Sequence, residues 1–145
     1  MYVDGFIVPL PKGNIEAYRA MSKKCGKIWL EHGALEYREC LADDVKPGKW
    51  TSFPQSVKLK ENETVVFSWI IYKSRAQRDK TNKKVMSDPR LEAMMQGKDN
   101  PFDGKRMIFG GFETIVDMAA KPKKAVASRA STRRAPVRRP LRRAR

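Results

Sequence analysis

The run Thr64-Val65-Val66-Phe67-Ser68-Trp69-Ile70-Ile71-Tyr72-Lys73 constrains the chain more than any other segment. Side chains alternate across a strand, so Val65, Phe67, Trp69 and Ile71 share one face. Val66, Ser68, Ile70 and Tyr72 share the other. Both faces are largely apolar, which predicts a central strand covered on both sides. Leaving either face wet would forfeit about 1.5–3 kcal/mol per large side chain relative to burial.

The flanking segments show how the sheet is built. Tyr2 to Leu10 is rich in β-formers (Val3, Phe6, Ile7, Val8) and closes at Pro9 and Pro11, so it reads as a strand. Gly13-Asn14 offers a helix N-cap. Ile15, Tyr18, Met21, Cys25, Ile28 and Trp29 follow at helical spacing and make one apolar face, with Gly33 suited to the left-handed C′ position. Ala34 to Ala42 alternates and predicts a half-exposed edge strand, with Leu35, Tyr37, Glu39 and Leu41 on its apolar side. Residues 43–63 contain Lys46-Pro47-Gly48 and Phe53-Pro54 and are expected to be mostly loop. Ser74 and Gln77 form a capping box for a mostly charged helix ending near Met86, and Asp88-Pro89 starts a short one. Arg106 to Val116 reads as the last strand, its Gly110-Gly111 pair pointing to a bulge or a close backbone approach.

The order β-α-β-β-α-β is the ferredoxin-like split unit, an α+β fold with a four-stranded antiparallel sheet and helices on one face. Strand three is apolar whichever face the helices take. Packing two sheets face to face removes the cost of the bare one, so a homodimer is expected.

Charge divides the 145 residues, whose net charge is +15. Residues 1–120 hold 20 of the 31 Lys and Arg and all 16 Asp and Glu. Residues 1–118 are therefore read as the folded domain and 119–145 as a basic tail. Its Ala, Pro and Arg without aromatics predict disorder. Such a tail suits non-specific, salt-dependent contact with nucleic-acid phosphates through Lys121, Lys123, Lys124, Arg133, Arg134, Arg138, Arg139, Arg142 and Arg143.

Several functions are excluded. The apolar run Val65–Tyr72 is far short of the roughly 20 residues that cross a bilayer, so no membrane partner is expected. The N-terminus lacks a basic n-region, and two cysteines, Cys25 and Cys40, make no disulfide framework, so a cytoplasmic protein with reduced thiols is expected. Three Cys and His residues fall short of a structural zinc set, and no dinucleotide fingerprint or P-loop occurs. No cofactor or metal is anticipated.

What remains is a cleft between sheet and helices that binds, and in an enzyme would transform, a small organic ligand. Glu39 on the apolar side of its strand is a candidate proton-handling group, because burial raises a carboxyl pKa. Pairing with Arg38 or Arg106 at a sheet rim is the structural alternative. His32, at a helix end, is a second proton carrier or simply a partner of the helix macrodipole. Trp69, Phe67, Tyr18 and Arg106 are candidates to line the cleft, with ordinary packing the alternative for the aromatics.

Tyr2-Val3-Asp4-Gly5-Phe6, Gly33-Ala34-Leu35, Asp43-Asp44, Val65-Val66-Phe67-Ser68-Trp69, Met86-Ser87-Asp88-Pro89-Arg90, Pro101-Phe102-Asp103-Gly104-Lys105-Arg106-Met107 and Gly110-Gly111-Phe112 together resemble the YbaA-like bacterial family. The resemblance spans residues 1–118 and implies a dimeric α/β barrel. It brings no activity with it.

Overall fold

The two-faced segment forms β3 (Glu63–Tyr72), paired antiparallel with β1 (Tyr2–Pro11) on one side and β2 (Glu36–Leu41) on the other. β4 (Ile108–Glu113) pairs with the free edge of β1, giving the order β2-β3-β1-β4. The structure, a computed structural model, describes residues 1–123. Helices α1 (Ile15–Glu31), α2 (Phe53–Ser56), α3 (Arg75–Met86) and α4 (Pro89–Gln96) complete the elements. The fold is ferredoxin-like α+β, the protomer architecture of dimeric α/β barrels.

Register decides which side chains meet the helices. Tyr37, Ile70, Asp4 and Gly111 form one cross-strand row on that side, and Glu39, Ser68, Phe6 and Phe109 form the next. Val8, Leu10 and Val66 bury against Tyr18 of α1, while Ile70 and Tyr72 bury with Ala34. Ile28 of α1 meets Val85 of α3 and Leu91 of α4. Each such side chain contributes about 1.5–3 kcal/mol. The opposite face carries Val3, Ile7, Phe67, Trp69, Ile71, Ile108 and Phe112, away from α1, α3 and α4, and only the single turn α2 packs there, through Phe53 on Phe67. Phe67 there is 44% exposed and Phe112 63%.

Local signals acted largely as their chemistry predicts. The Ser74 hydroxyl accepts from Gln77 N at 3.1 Å, and Asp88 Oδ1 accepts from Arg90 N at 2.9 Å. Asn14 makes no cap hydrogen bond. A 3-10 turn over Lys12–Asn14 runs straight into α1, and the Asn14 amide instead donates to Pro101 O at 2.8 Å. Within the expected loop, Ser52 caps the single turn α2. The last strand starts later than expected, because Asp103 to Arg106 closes a turn. No bulge interrupts β4. Gly111 is the close approach: a Cβ there would strike the Arg78 guanidinium and the Tyr2 hydroxyl.

The ordered elements end at Glu113, and residues 119–123, with exposed Lys121 and Lys123, are coil. The proposed phosphate-contacting residues from Lys124 to Arg143 lie outside the described residues.

Candidate functional site

Edge strand β2 turns Glu39 toward α1, opposite Ser68 of β3. The small Ser68 leaves room for a carboxyl where Val66 and Ile70 fill the flanking positions. Tyr18 of α1 donates its hydroxyl to Glu39 Oε2 at 2.7 Å, and Tyr37 donates to Oε1 at 2.8 Å. Burial pushes the Glu39 pKa above its ordinary value, while the hydroxyls of Tyr18, Tyr37, Ser68 and Ser22 pull the other way without cancelling it. Burial and the nearby Glu39 charge push both phenols far up, so they remain donors. The same two causes raise the Cys25 thiol, which argues against a thiolate nucleophile.

A glycine makes this geometry fit. Gly26 sits inside α1, where glycine costs about 1 kcal/mol relative to alanine. A Cβ there would lie 2.9 Å from the Tyr37 ring, so the bare backbone lets Tyr37 slide under the helix and reach Glu39.

Two hollows meet at this carboxyl. The first, about 400 Å³, is walled by Leu10, Ile15, Leu30, Leu41 and Val66. Exposed Arg19, Lys23 and Lys27 of α1 stand along it. The second, about 180 Å³, lies toward Phe6, Met21, Cys25, Trp29, Phe102 and Met107. Tyr18, Ser22, Tyr37 and Glu39 line both. The first hollow alone falls within the roughly 300–1,000 Å³ of small-molecule sites. Tyr18 therefore does not fill the cleft. A shielded carboxyl with raised pKa, held between two donors, can exchange a proton with a bound molecule.

The raised pKa has a consequence for stability. Between the ordinary value of 4.5 and its raised folded value, Glu39 holds more proton in the folded than in the unfolded chain. It therefore lowers stability progressively as pH rises through that window. Glu39→Gln removes this dependence. Thermal melts at a series of pH values should show the variant gaining on the wild type from about pH 4.5 upward. Parallel curves would mean that Glu39 titrates as a solvated carboxyl.

The other sequence candidates lie elsewhere. Phe67 and Trp69 occupy the face away from the long helices, because α1, α3 and α4 cover the Val66, Ser68, Ile70 and Tyr72 side of β3. They pack on each other, with ring centroids 5.5 Å apart, and do not line the cleft. Arg106 precedes β4 and turns to the start of β3, where Nη1 and Nη2 donate to Glu63 at 2.8 and 2.6 Å. Its Nε donates to Asp103 at 2.9 Å, so Arg106 fastens a turn and pairs with neither Glu39 nor the cleft. Asp103 also accepts from Lys105 N at 3.0 Å, which makes this segment a turn. His32 ends α1 and lies 2.8 Å from Asp88 through Nε2, tying α1 to the start of α4 and away from Glu39. The Arg90 and His32 contacts hold the Asp88 carboxyl well below the usual range.

Sequence reasoning missed Tyr37 and Ser22 as partners of the carboxyl, and Ser68 as its seat. The available signal was polar atoms on otherwise apolar faces: Ser22 one turn after Tyr18, and Ser68 among Val66, Ile70 and Tyr72. Among the described residues, no group of three His, Cys, Asp or Glu side chains gathers as a metal site.

Fold and site together define a ferredoxin-like α+β protomer with a half-buried carboxyl between its sheet and first helix. The chain belongs to the family described as "Protein of unknown function (DUF1428)", whose model matches residues 1–104. It is similar to the uncharacterized protein YbaA of Escherichia coli (strain K12), 53% identical over 116 residues that cover 80% of this chain and 97% of the relative. The crystal structure of protein Atu4242 from Agrobacterium tumefaciens is similar at a TM-score of 0.51 and 17% identity, covering 78% of this chain and 92% of that one. That likeness shows the same fold. An uncharacterized NIPSNAP domain protein from Burkholderia xenovorans overlays at a TM-score of 0.48 and 16% identity, covering 85% of this chain and all of that one.

Proposed function

We propose that the protein is a cytoplasmic homodimer that binds, and exchanges a proton with, a small amphipathic organic acid in the cleft between its sheet and α1. The Glu39 carboxyl, clasped by Tyr18 and Tyr37 where a hollow of about 400 Å³ meets its neighbour, carries this reading. Apolar walls accept the body of the ligand. Arg19, Lys23 and Lys27 suit an anionic group at the mouth. Glu39 then faces a hydroxyl or carbonyl at the inner end. The exposed apolar side chains on the sheet face away from α1, α3 and α4 support the dimer, and two free cysteines are in keeping with a reducing compartment. No helix among the described residues is long and apolar enough to cross a membrane.

The test is calorimetric titration with para-coumarate, which carries a carboxylate and a phenol at opposite ends of an apolar body. Saturable binding is expected, weakened about tenfold or more by Ser22→Phe, which fills the hollow. Binding untouched by that substitution, or no saturable binding, would remove the cleft from the account.

A second role rests on eleven basic and no acidic residues from Lys121 to Arg145. In this reading the tail holds nucleic acid through its phosphates, with avidity from two copies. The full chain should bind DNA and RNA more tightly than a chain ending at Met118, and lose that advantage at high salt. Equal binding by both chains would exclude the tail.

A further inference from the structure

A second carboxyl on the helix side of the sheet, this one buried, takes no part in the Glu39 site. Asp4, 8% exposed, sits on the helix side of β1 between Ile70 of β3 and Gly111 of β4. Arg78 of α3 reaches down to it, with Nε 3.2 Å from Asp4 Oδ1. Arg78 Nη2 donates to the Tyr2 hydroxyl at 2.9 Å, and Nη1 donates to Asp79 at 3.1 Å. The Nε–H is close to Asp4 but misaligned. It is a buried side-chain donor without a hydrogen-bond partner, and among the described residues no other buried side-chain nitrogen or oxygen lacks one.

Such an arrangement is a poor way to stabilise a core. Apolar residues of similar volume commonly serve as well as a buried ion pair, and an orphaned donor adds a further desolvation cost. The pair also does not close on itself, because a third hollow of about 360 Å³ opens in front of it. Phe6, Trp29, Met86, Met107 and Phe109 supply apolar walls. Gly111 leaves that part of β4 without a side chain, which is what lets Arg78 and Tyr2 pass. Behind the pair, Asn82 is locked by Trp29 Nε1 and the Tyr72 hydroxyl, each donating to its Oδ1 at 3.2 Å. Phe6, Trp29 and Met107 line this hollow and the smaller Glu39 hollow alike, and so stand between the two.

We propose that this hollow is a separate binding site for an α-amino acid with an apolar side chain. Its carboxylate meets the exposed part of the Arg78 guanidinium, its ammonium meets Asp4, and its side chain lies among Trp29, Met86 and Phe109. The argument is one of charge complementarity. A lone anion in this hollow would face Asp4, and a lone cation would face Arg78. A zwitterion whose charges are one carbon apart matches a pair whose nearest atoms are 3.2 Å apart. The site stands independently of the Glu39 reading.

Calorimetric titration of the full chain with L-phenylalanine, phenethylamine and phenylpropionate tests it. These probes share a ring and differ in carrying both charges, only the ammonium or only the carboxylate. L-Phenylalanine should bind saturably, at one per chain, and about tenfold or more tighter than either single-charge probe. Asp4→Asn and Arg78→Gln should each weaken it about tenfold or more. No saturable binding of L-phenylalanine, equal binding of a single-charge probe, or indifference to both substitutions would overturn the proposal. The probe comparison uses the unaltered protein, so it decides the matter even if a variant fails to fold.

Discussion

Phe67→Asp is expected to convert the proposed dimer into monomers while leaving each protomer folded. Phe67 lies on the sheet face away from α1, α3 and α4, 44% exposed, between Ile7 of β1 and Cys40 of β2. Its ring touches Trp69 and the Phe53 of α2, at centroid distances of 5.5 and 5.9 Å. In a single protomer an aspartate here reaches water, so folding gives up only the contacts with Trp69 and Phe53. In a face-to-face dimer the change occurs twice. Each copy forfeits about 1.5–3 kcal/mol of apolar burial and adds several kcal/mol for desolvating a carboxylate. The sum exceeds about 5 kcal/mol, or roughly four orders of magnitude in Kd. Sedimentation at micromolar concentration checks this, with Phe67→Leu as the control that should remain dimeric. Wild-type protein sedimenting as monomers would end the face-to-face assembly.

Gly33→Val is expected to produce a large loss of folding stability. Gly33 follows α1 at φ +120°, a conformation that β-branched residues avoid. A Cβ at this position would also collide with the side chains of Gln77 and Thr81 on α3. That junction is tight, because the Thr81 hydroxyl donates to His32 O at 3.0 Å. Backbone strain and overpacking together should cost about 3–5 kcal/mol. For a domain of this size the melting temperature should fall by about 10–15 °C. Gly33→Ala shares the backbone strain but adds less bulk, and should fall by less. An unchanged melting temperature for the valine variant would show that the α1–β2 turn relaxes without cost.

The two carboxyls on the helix side of the sheet are legible to different degrees. Glu39 stands out because it interrupts the apolar row Leu35, Tyr37, Leu41, and the structure half-buries it under α1. Asp4 interrupts a similar row between Tyr2 and Phe6 and was not singled out, since a strand near the N-terminus gives no hint of which side is covered. Partners were harder still. Arg38 and Arg106 looked suitable for Glu39 by charge. The pleat sends Arg38 to the other face, and Arg106 precedes β4 and meets Glu63 instead. The aromatic pair Phe67 and Trp69 misled for a related reason: both faces of β3 are apolar enough to look like a core.

By itself the sequence determined the element order, the capping at Ser74 and Asp88, the central place of the two-faced strand and the side of β2 on which Glu39 lies. These follow from covalent geometry, since the alternation of a strand, the turn of a helix and the freedom of a glycine are properties of the local chain. Only the tertiary structure decided which face of β3 the helices cover, that two tyrosines rather than an arginine hold Glu39, and that Asp4 and Arg78 face a common hollow. Those outcomes depend on which volumes fit together across the sheet. Ser68 rather than Phe67 or Trp69 lies under α1, and Gly26 makes way for Tyr37, because helix and strand can approach only where side chains from distant parts of the chain leave space.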